Sequence, residues 1–171
     1  LKTGDPLKFT CKEDLIEACE KQIMFLYDKI IEGFTILQTQ HMLRMPVIFA
    51  SLVMNGCIEN GKSVQEGGTD HNSAGLFSTG TANLADSIVA IEEIVFKDKL
   101  ITMAELIEIL DNNFEGEERI RQILINKPPK FGNDNKYVDE LNRDIVTYAA
   151  DNFLKAKPNL SQAHRVRTVM Q

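Results

Sequence analysis

Positive charge is in short supply. The chain carries 19 Lys and Arg against 25 Asp and Glu, a formal net charge of −6 and a pI near 5.1. Binding to nucleic-acid phosphates relies on clustered cations that displace counterions, so this balance sets a nucleic-acid partner aside. Long apolar runs are missing too. None approaches the roughly 20 residues that span a bilayer, and no basic stretch precedes a shorter apolar one. No membrane partner is therefore expected, and a cytoplasmic location is. Cysteine is sparse and odd in number: Cys11, Cys19 and Cys57 include no C-x-x-C pair, which argues against a disulfide framework and a zinc knuckle and for reduced thiols.

What remains is 43% hydrophobic over 171 residues, enough for one core, so 1–171 is taken as a single segment. The chain opens on Leu1, not Met, and its first residue is read as something other than a translation start. Thr10 with Glu13 has the spacing of a capping box, in which hydroxyl and carboxylate satisfy each other's backbone donors. Apolar residues follow at Leu15, Ile16, Cys19, Ile23, Leu26, Ile30, Phe34 and Leu37, which predicts one long helix to about Met42, closed by Pro46. Val47 to Ile58 is apolar on nearly every side and predicts a buried second helix ending at Asn60-Gly61.

Lys62 to Gly80 is glycine-rich, in Glu66-Gly67-Gly68 and at Gly75 and Gly80, and reads as a loop in which backbones approach closely. Helices are then expected after Thr81 or Asn83, after the Thr102-x-x-Glu105 capping box, over Glu118 to Leu124, and from an Asp134 cap onward with Tyr137, Val138, Leu141, Ile145, Val146 and Ala149 inward. The polar, basic tail 159–171 shows no core face. The isolated segment is thus expected to be mainly α.

Few residues in this pattern carry chemistry by type alone. Glu66, Asp70 and His71 could ligate a metal or exchange protons, but in a polar loop they read more simply as turn caps. The glycines match neither phosphate-binding fingerprint. The cysteines sit in apolar helical patterns, where burial raises a thiol pKa, and no metal site is expected.

The order of several blocks is more specific. Cys57-Ile58-Glu59-Asn60-Gly61-Lys62, Glu66-Gly67-Gly68, Gly80-Thr81-Ala82-Asn83-Leu84-Ala85-Asp86-Ser87, Asn112-Asn113-Phe114-Glu115-Gly116 and Asn126-Lys127-Pro128-Pro129-Lys130-Phe131-Gly132-Asn133-Asp134 succeed one another. This succession, over about Asp5 to Asn152, resembles the glycyl-radical enzymes of the pyruvate formate-lyase-like group, which include dehydratases, lyases and decarboxylases. The resemblance implies part of a much longer α/β protein folded as a ten-stranded barrel. It implies cleavage of a C-O, C-N, C-S or C-C bond in a small organic substrate by radical hydrogen abstraction, in anaerobic metabolism.

That chemistry needs a radical glycine in an R-V-x-G-Y setting, which does not occur here, and a thiyl cysteine in a G-C-x-E setting. Gly56-Cys57-Ile58-Glu59 spells the latter, but its block matches a helix downstream of the thiyl loop. The chain is therefore expected to be inactive alone, with no bound cofactor. The glycyl radical would lie elsewhere in the full-length protein, installed by an activating enzyme that uses S-adenosylmethionine and an iron-sulfur cluster.

Partners implied are the rest of the enzyme chain, the activating enzyme and the small-molecule substrate, and a homodimer of the full-length enzyme stays open. By the same resemblance, Glu66 is the candidate proton-exchanging residue and Gly67, Gly68, His71 and Asn72 the candidate substrate contacts. His71 stands where relatives usually carry tyrosine, and 159–171 departs from the expected glycine- and arginine-rich passage. The alternative is a non-catalytic helical interaction domain derived from such an enzyme.

Overall fold

Three of the helices begin where a side chain satisfies free backbone N–H groups at the first turn. The computed structural model describes residues 2–71, 73–155 and 165–170, with 73–78, 154–155 and 165–170 described as backbone only. Seven α-helices and two strands are found among these residues. They are α1 (Lys12–Arg44), α2 (Ile48–Val53), α3 (Cys57–Asn60), β1 (Ser73–Ser78), α4 (Thr81–Ile91), α5 (Met103–Asp111), α6 (Glu118–Asn126), α7 (Lys136–Lys155) and β2 (Arg165–Met170). The chain divides into two compact units, Leu1–Ile23 with Gly80–Ala149, and Met24–Thr79 with Ala150–Gln171.

In the first unit, α1 starts at the expected place by a different device. The Asp14 carboxylate, not that of Glu13, accepts from the Thr10 and Cys11 N–H groups at 2.7 and 3.3 Å and from the Thr10 hydroxyl at 3.2 Å. Those bonds hold the Asp14 pKa below the ordinary carboxylate range. The core forms where α4 places Ala85, Ile88 and Val89 against Val138 and Ile145 of α7, with Ile16, Leu84 and Leu141 alongside. Ala85, Val89 and Val138 have no exposed surface.

Directly after α4, Glu92–Lys97 winds as a π-helical turn, closed by Asp98 N–H donating to the Glu93 carbonyl at 2.8 Å. Thr102 and Glu105 form the capping box expected for α5, with Glu105 N–H donating to the Thr102 hydroxyl at 3.2 Å and Thr102 N–H to the Glu105 carboxylate at 2.7 Å. At α7 the cap differs from expectation. Asn135 Oδ1 accepts from Tyr137 N–H at 3.2 Å, while Asp134 takes a left-handed φ of 57° and makes the turn.

In the second unit, Tyr27 of α1 meets Phe153 of α7 edge to face, ring centroids 5.0 Å apart, and both are buried. The expected apolar stripe is met in part: Leu15, Ile16, Cys19, Ile23 and Phe34 are half-buried, but Leu26, Ile30 and Leu37 are exposed, because the face of α1 that turns inward in this unit is the one carrying Tyr27. The buried helix expected over Val47 to Ile58 is also corrected. Its apolar residues form the short α2 and α3 and leave Phe49 87% and Val53 80% exposed. The break opens at Met54, which takes an extended ψ of 131°, and Gly56 with φ 91° turns the chain into α3.

Two strands were not expected. β1 lies inside the stretch read as a loop and β2 inside the tail. They pair in parallel, Ser73 opposite Arg165 through Ser78 opposite Met170, and parallel neighbours need a long crossover, which the intervening chain supplies. The chain is mainly α, as expected. Ile88→Ala, which empties a fully packed position, should lower the unfolding free energy by about 2 to 5 kcal/mol in urea titrations.

Candidate functional site

The glycine-rich stretch folds back on α2 and α3 through backbone contacts. Gly68 is buried, its N–H donates to the Ser63 carbonyl at 2.9 Å, and its own carbonyl accepts from Asn60 Nδ2 at 2.9 Å. A Cβ on Gly68 would stand 2.1 Å from the Lys62 carbonyl oxygen, so no other residue fits without moving backbone. A second close approach faces it. Gly56 has φ 91°, and a Cβ there would lie 2.8 Å from both the Asp70 nitrogen and the Gly68 carbonyl oxygen. Asp70 N–H donates to the Asn55 carbonyl at 3.2 Å, and Val64 N–H to the Ser51 hydroxyl at 3.1 Å. The expectation of tight backbone approach is met at these two glycines.

Glu66, the candidate proton-exchanging residue, is exposed and engaged. Its carboxylate accepts from Ser63 N–H at 2.8 Å, and its own N–H donates to the Ser63 hydroxyl at 3.3 Å. This is the reciprocal pair of a capping box, and Ser63-x-x-Glu66 is its sequence signature. The hydrogen bond from the Ser63 backbone holds the Glu66 pKa below the usual carboxylate range, the reverse of what a desolvated acid near neutrality requires. Gly67 makes the turn with φ 77°. His71 is exposed and its carbonyl accepts from the Thr69 hydroxyl at 3.2 Å. Asn72 lies outside the described residues. Cys57 is buried and helical, as expected from sequence, but it opens the separate helix α3 instead of lying near the end of a continuous one.

A second constellation escaped the sequence. In the first unit, Glu92 is buried on the π-helical turn and accepts from the Tyr137 hydroxyl, which in turn accepts from Lys12 Nζ. Lys97 Nζ lies 3.2 Å from the Glu92 carboxylate and Lys12 Nζ 3.8 Å, with Lys12 also 4.4 Å from the Tyr137 ring centre. Burial and the Glu92 carboxylate push the Tyr137 phenol up, and the bond to Tyr137 raises Lys12, so the neutral phenol and the charged ammonium persist at neutral pH. The cluster ties the starts of α1 and α7 to the π turn. One signal existed: Glu92 and Glu93 interrupt an otherwise apolar run from Ile88 to Phe96.

The same unit holds an apolar cleft of about 380 Å3, lined among others by Ile91, Leu106, Leu110 and Phe114. Its cations are occupied: Arg121 bonds Glu118 at 3.1 Å and Lys130 Nζ donates to the Leu124 carbonyl at 3.2 Å. Among the described residues no group of His, Cys, Asp and Glu could hold a metal, and no helix is long and apolar enough to cross a membrane.

The pyruvate formate lyase-like family model matches residues 1–170. The chain belongs to that family. Among family relatives, trans-4-hydroxy-L-proline dehydratase of Clostridioides difficile is 39% identical over 145 residues, 85% of this chain and 18% of the relative. Isethionate sulfite-lyase of Bilophila wadsworthia is 34% identical over 88% of this chain and 19% of its own. The crystal structure of the C. difficile hydroxyproline dehydratase with its substrate bound superposes with a TM-score of 0.90 at 35% identity, covering 99% of this chain and 21% of that one. The B12-independent glycerol dehydratase of Clostridium butyricum gives 0.87 at 30% identity over 98% and 21%. The chain therefore spans about a fifth of the length of these relatives, which are glycyl-radical dehydratases and lyases.

Two outcomes test this site. Gly68→Ala should disrupt the backbone contact to Lys62 and abolish protection of the Asp70 amide in hydrogen exchange, costing about 1 to 3 kcal/mol by overpacking. Glu66 has a depressed folded-state pKa, so its contribution is present above the unfolded value and lost as pH falls through the folded one. Acidification should then release the Ser63 amide while neutral and alkaline pH leave it protected, read by amide NMR.

Proposed function

We propose that this chain is a segment of a glycyl-radical lyase or dehydratase that cleaves a C-O, C-N, C-S or C-C bond in a small organic substrate. The observation that carries the reading is the agreement of fold over 99% of the chain with a substrate-bound dehydratase of which it makes up 21%. The parallel pair of β1 and β2 suits it, because a parallel barrel is built of such pairs. The remaining polypeptide would bring the other strands.

The residues present do not supply the radical machinery. The radical-glycine motif is absent from the sequence, and Cys57, 3% exposed, opens a helix and does not stand at a loop tip where a thiyl cysteine is expected. A glycyl radical, held elsewhere on the polypeptide and installed by an S-adenosylmethionine-dependent activating enzyme, would supply hydrogen abstraction. In this segment, Glu66, Gly67 and Gly68 act as architecture: the two carboxylate and amide bonds to Ser63 and the Cβ-free contact at Gly68 fix the loop that leads into β1. By the same reading His71 and Asn72, which precede β1 in the sequence, remain the candidate substrate contacts. The same reading assigns the parent enzyme to the cytoplasm.

The test is spectroscopic. The complete coding sequence treated anaerobically with an activating enzyme should give the glycyl-radical doublet in electron paramagnetic resonance, and the 171-residue chain given the same treatment should give none. A doublet from the chain alone, or no doublet from the parent under conditions that activate a known relative, would defeat the reading.

A further inference from the structure

The second half of α1 carries two apolar faces, and the described residues of this chain cover one. Tyr27, Ile31 and Phe34 are buried or half-buried. Leu26, Ile30, Gly33 and Leu37 follow one another at steps of four, three and four, which places them together on a second face. That face is open: Leu26, Ile30 and Leu37 are 55%, 43% and 51% exposed.

Gly33 sits in the middle of this face, and a Cβ there would find no atom within 4 Å. Glycine inside a helix is unfavourable relative to alanine, because the unfolded chain gains freedom and no side chain packs in return. Its return is usually close approach by another backbone. Two helices cross at a distance set by the side chains at the point of contact, and a glycine flanked by aliphatics allows the shortest crossing.

The occupant follows from length. The fold of this chain is kept at a TM-score of 0.90 within a protein of which it is only 21%, so about four fifths of such a polypeptide is available to lie over a face of this size. A stripe of three aliphatic side chains grouped around a glycine and left in water would be a liability for a soluble protein. The stripe contains no charge, so its partner needs apolar surface and no counter-ion.

Resting on the family reading above, we propose that the face formed by Leu26, Ile30, Gly33 and Leu37 seats an apolar helix from the remaining polypeptide of the parent enzyme, crossing α1 at Gly33. The parent enzyme is the material for the test. Gly33→Ala should be tolerated or mildly felt, whereas Gly33→Leu should lower its melting temperature by more than about 2 °C through overpacking. Gly33→Cys provides a readout independent of that loss: a maleimide should modify the folded parent at least about tenfold more slowly than the urea-unfolded one.

Melting unchanged by Gly33→Leu together with free labelling of Gly33→Cys would overturn the proposal, and the family reading would survive if the same protein still forms its glycyl radical. A dimeric parent that becomes a monomer of unchanged melting temperature on Gly33→Leu would assign the face to a second copy instead. A gene found to encode nothing beyond these 171 residues would overturn both readings.

Discussion

The first unit is organised by the packing of α4, whose inner face consists of residues small or branched enough to bring α7 close. Ala85 and Val89 have no exposed surface, Ile88 almost none, and the partner Val138 is as fully enclosed. With α7 held there, Tyr137 at its first turn falls beside Glu92, and Lys12 at the start of α1 completes the polar cluster. A buried carboxylate is tolerated because two ammonium groups and a phenol surround it; removing one partner would leave a charge desolvated for nothing. The order of dependence thus runs from aliphatic packing to the polar cluster, not the reverse.

The second unit is held by different means. There the loop contacts engage main-chain groups, at Gly68, at Gly56 and at the amides of Val64 and Asp70, with the Ser51 hydroxyl and Asn60 amide as side-chain partners, and one aromatic pair joins Tyr27 and Phe153. A loop fixed by main-chain contacts keeps its course when surface side chains change, so the lead into β1 can stay fixed while neighbouring positions such as His71 differ in chemistry. This is the division of labour expected where a scaffold is shared by enzymes with different substrates.

Much of the local structure was legible in the sequence, and what was missed was not local. Thr102-x-x-Glu105 named its helix start because both partners of the cap lie within one turn, and the ends of α1 and α6 followed from Pro46 and from Pro128-Pro129. The glycine pair announced a close approach. By contrast β1 and β2 are partners separated by four helices, and a strand whose mate lies so far along the chain leaves little periodic trace in either segment. The inward turn of α1 was misjudged for a related reason: two overlapping apolar faces give one broad stripe in the sequence, and only the fold tells which is used. The surroundings of Glu66 were legible too, in the Ser63-x-x-Glu66 spacing of a capping box, and that exposed pairing holds its pKa below the ordinary carboxylate range.

The π-helical turn has a consequence for how this region can change. A π turn accommodates one residue more than the α-helical path between the same endpoints, and it sits where α4 hands over to the segment leading to α5. Excising a single residue from Glu92–Lys97 would let an α-helix continue between the same endpoints, so the segment leading to α5 would keep its place. What would change is local: the widened turn that carries Glu92 toward Lys97, Lys12 and Tyr137 would tighten. The irregularity therefore makes the handover from α4 tolerant of a one-residue change in length, and puts the polar cluster, not the rest of the fold, at stake.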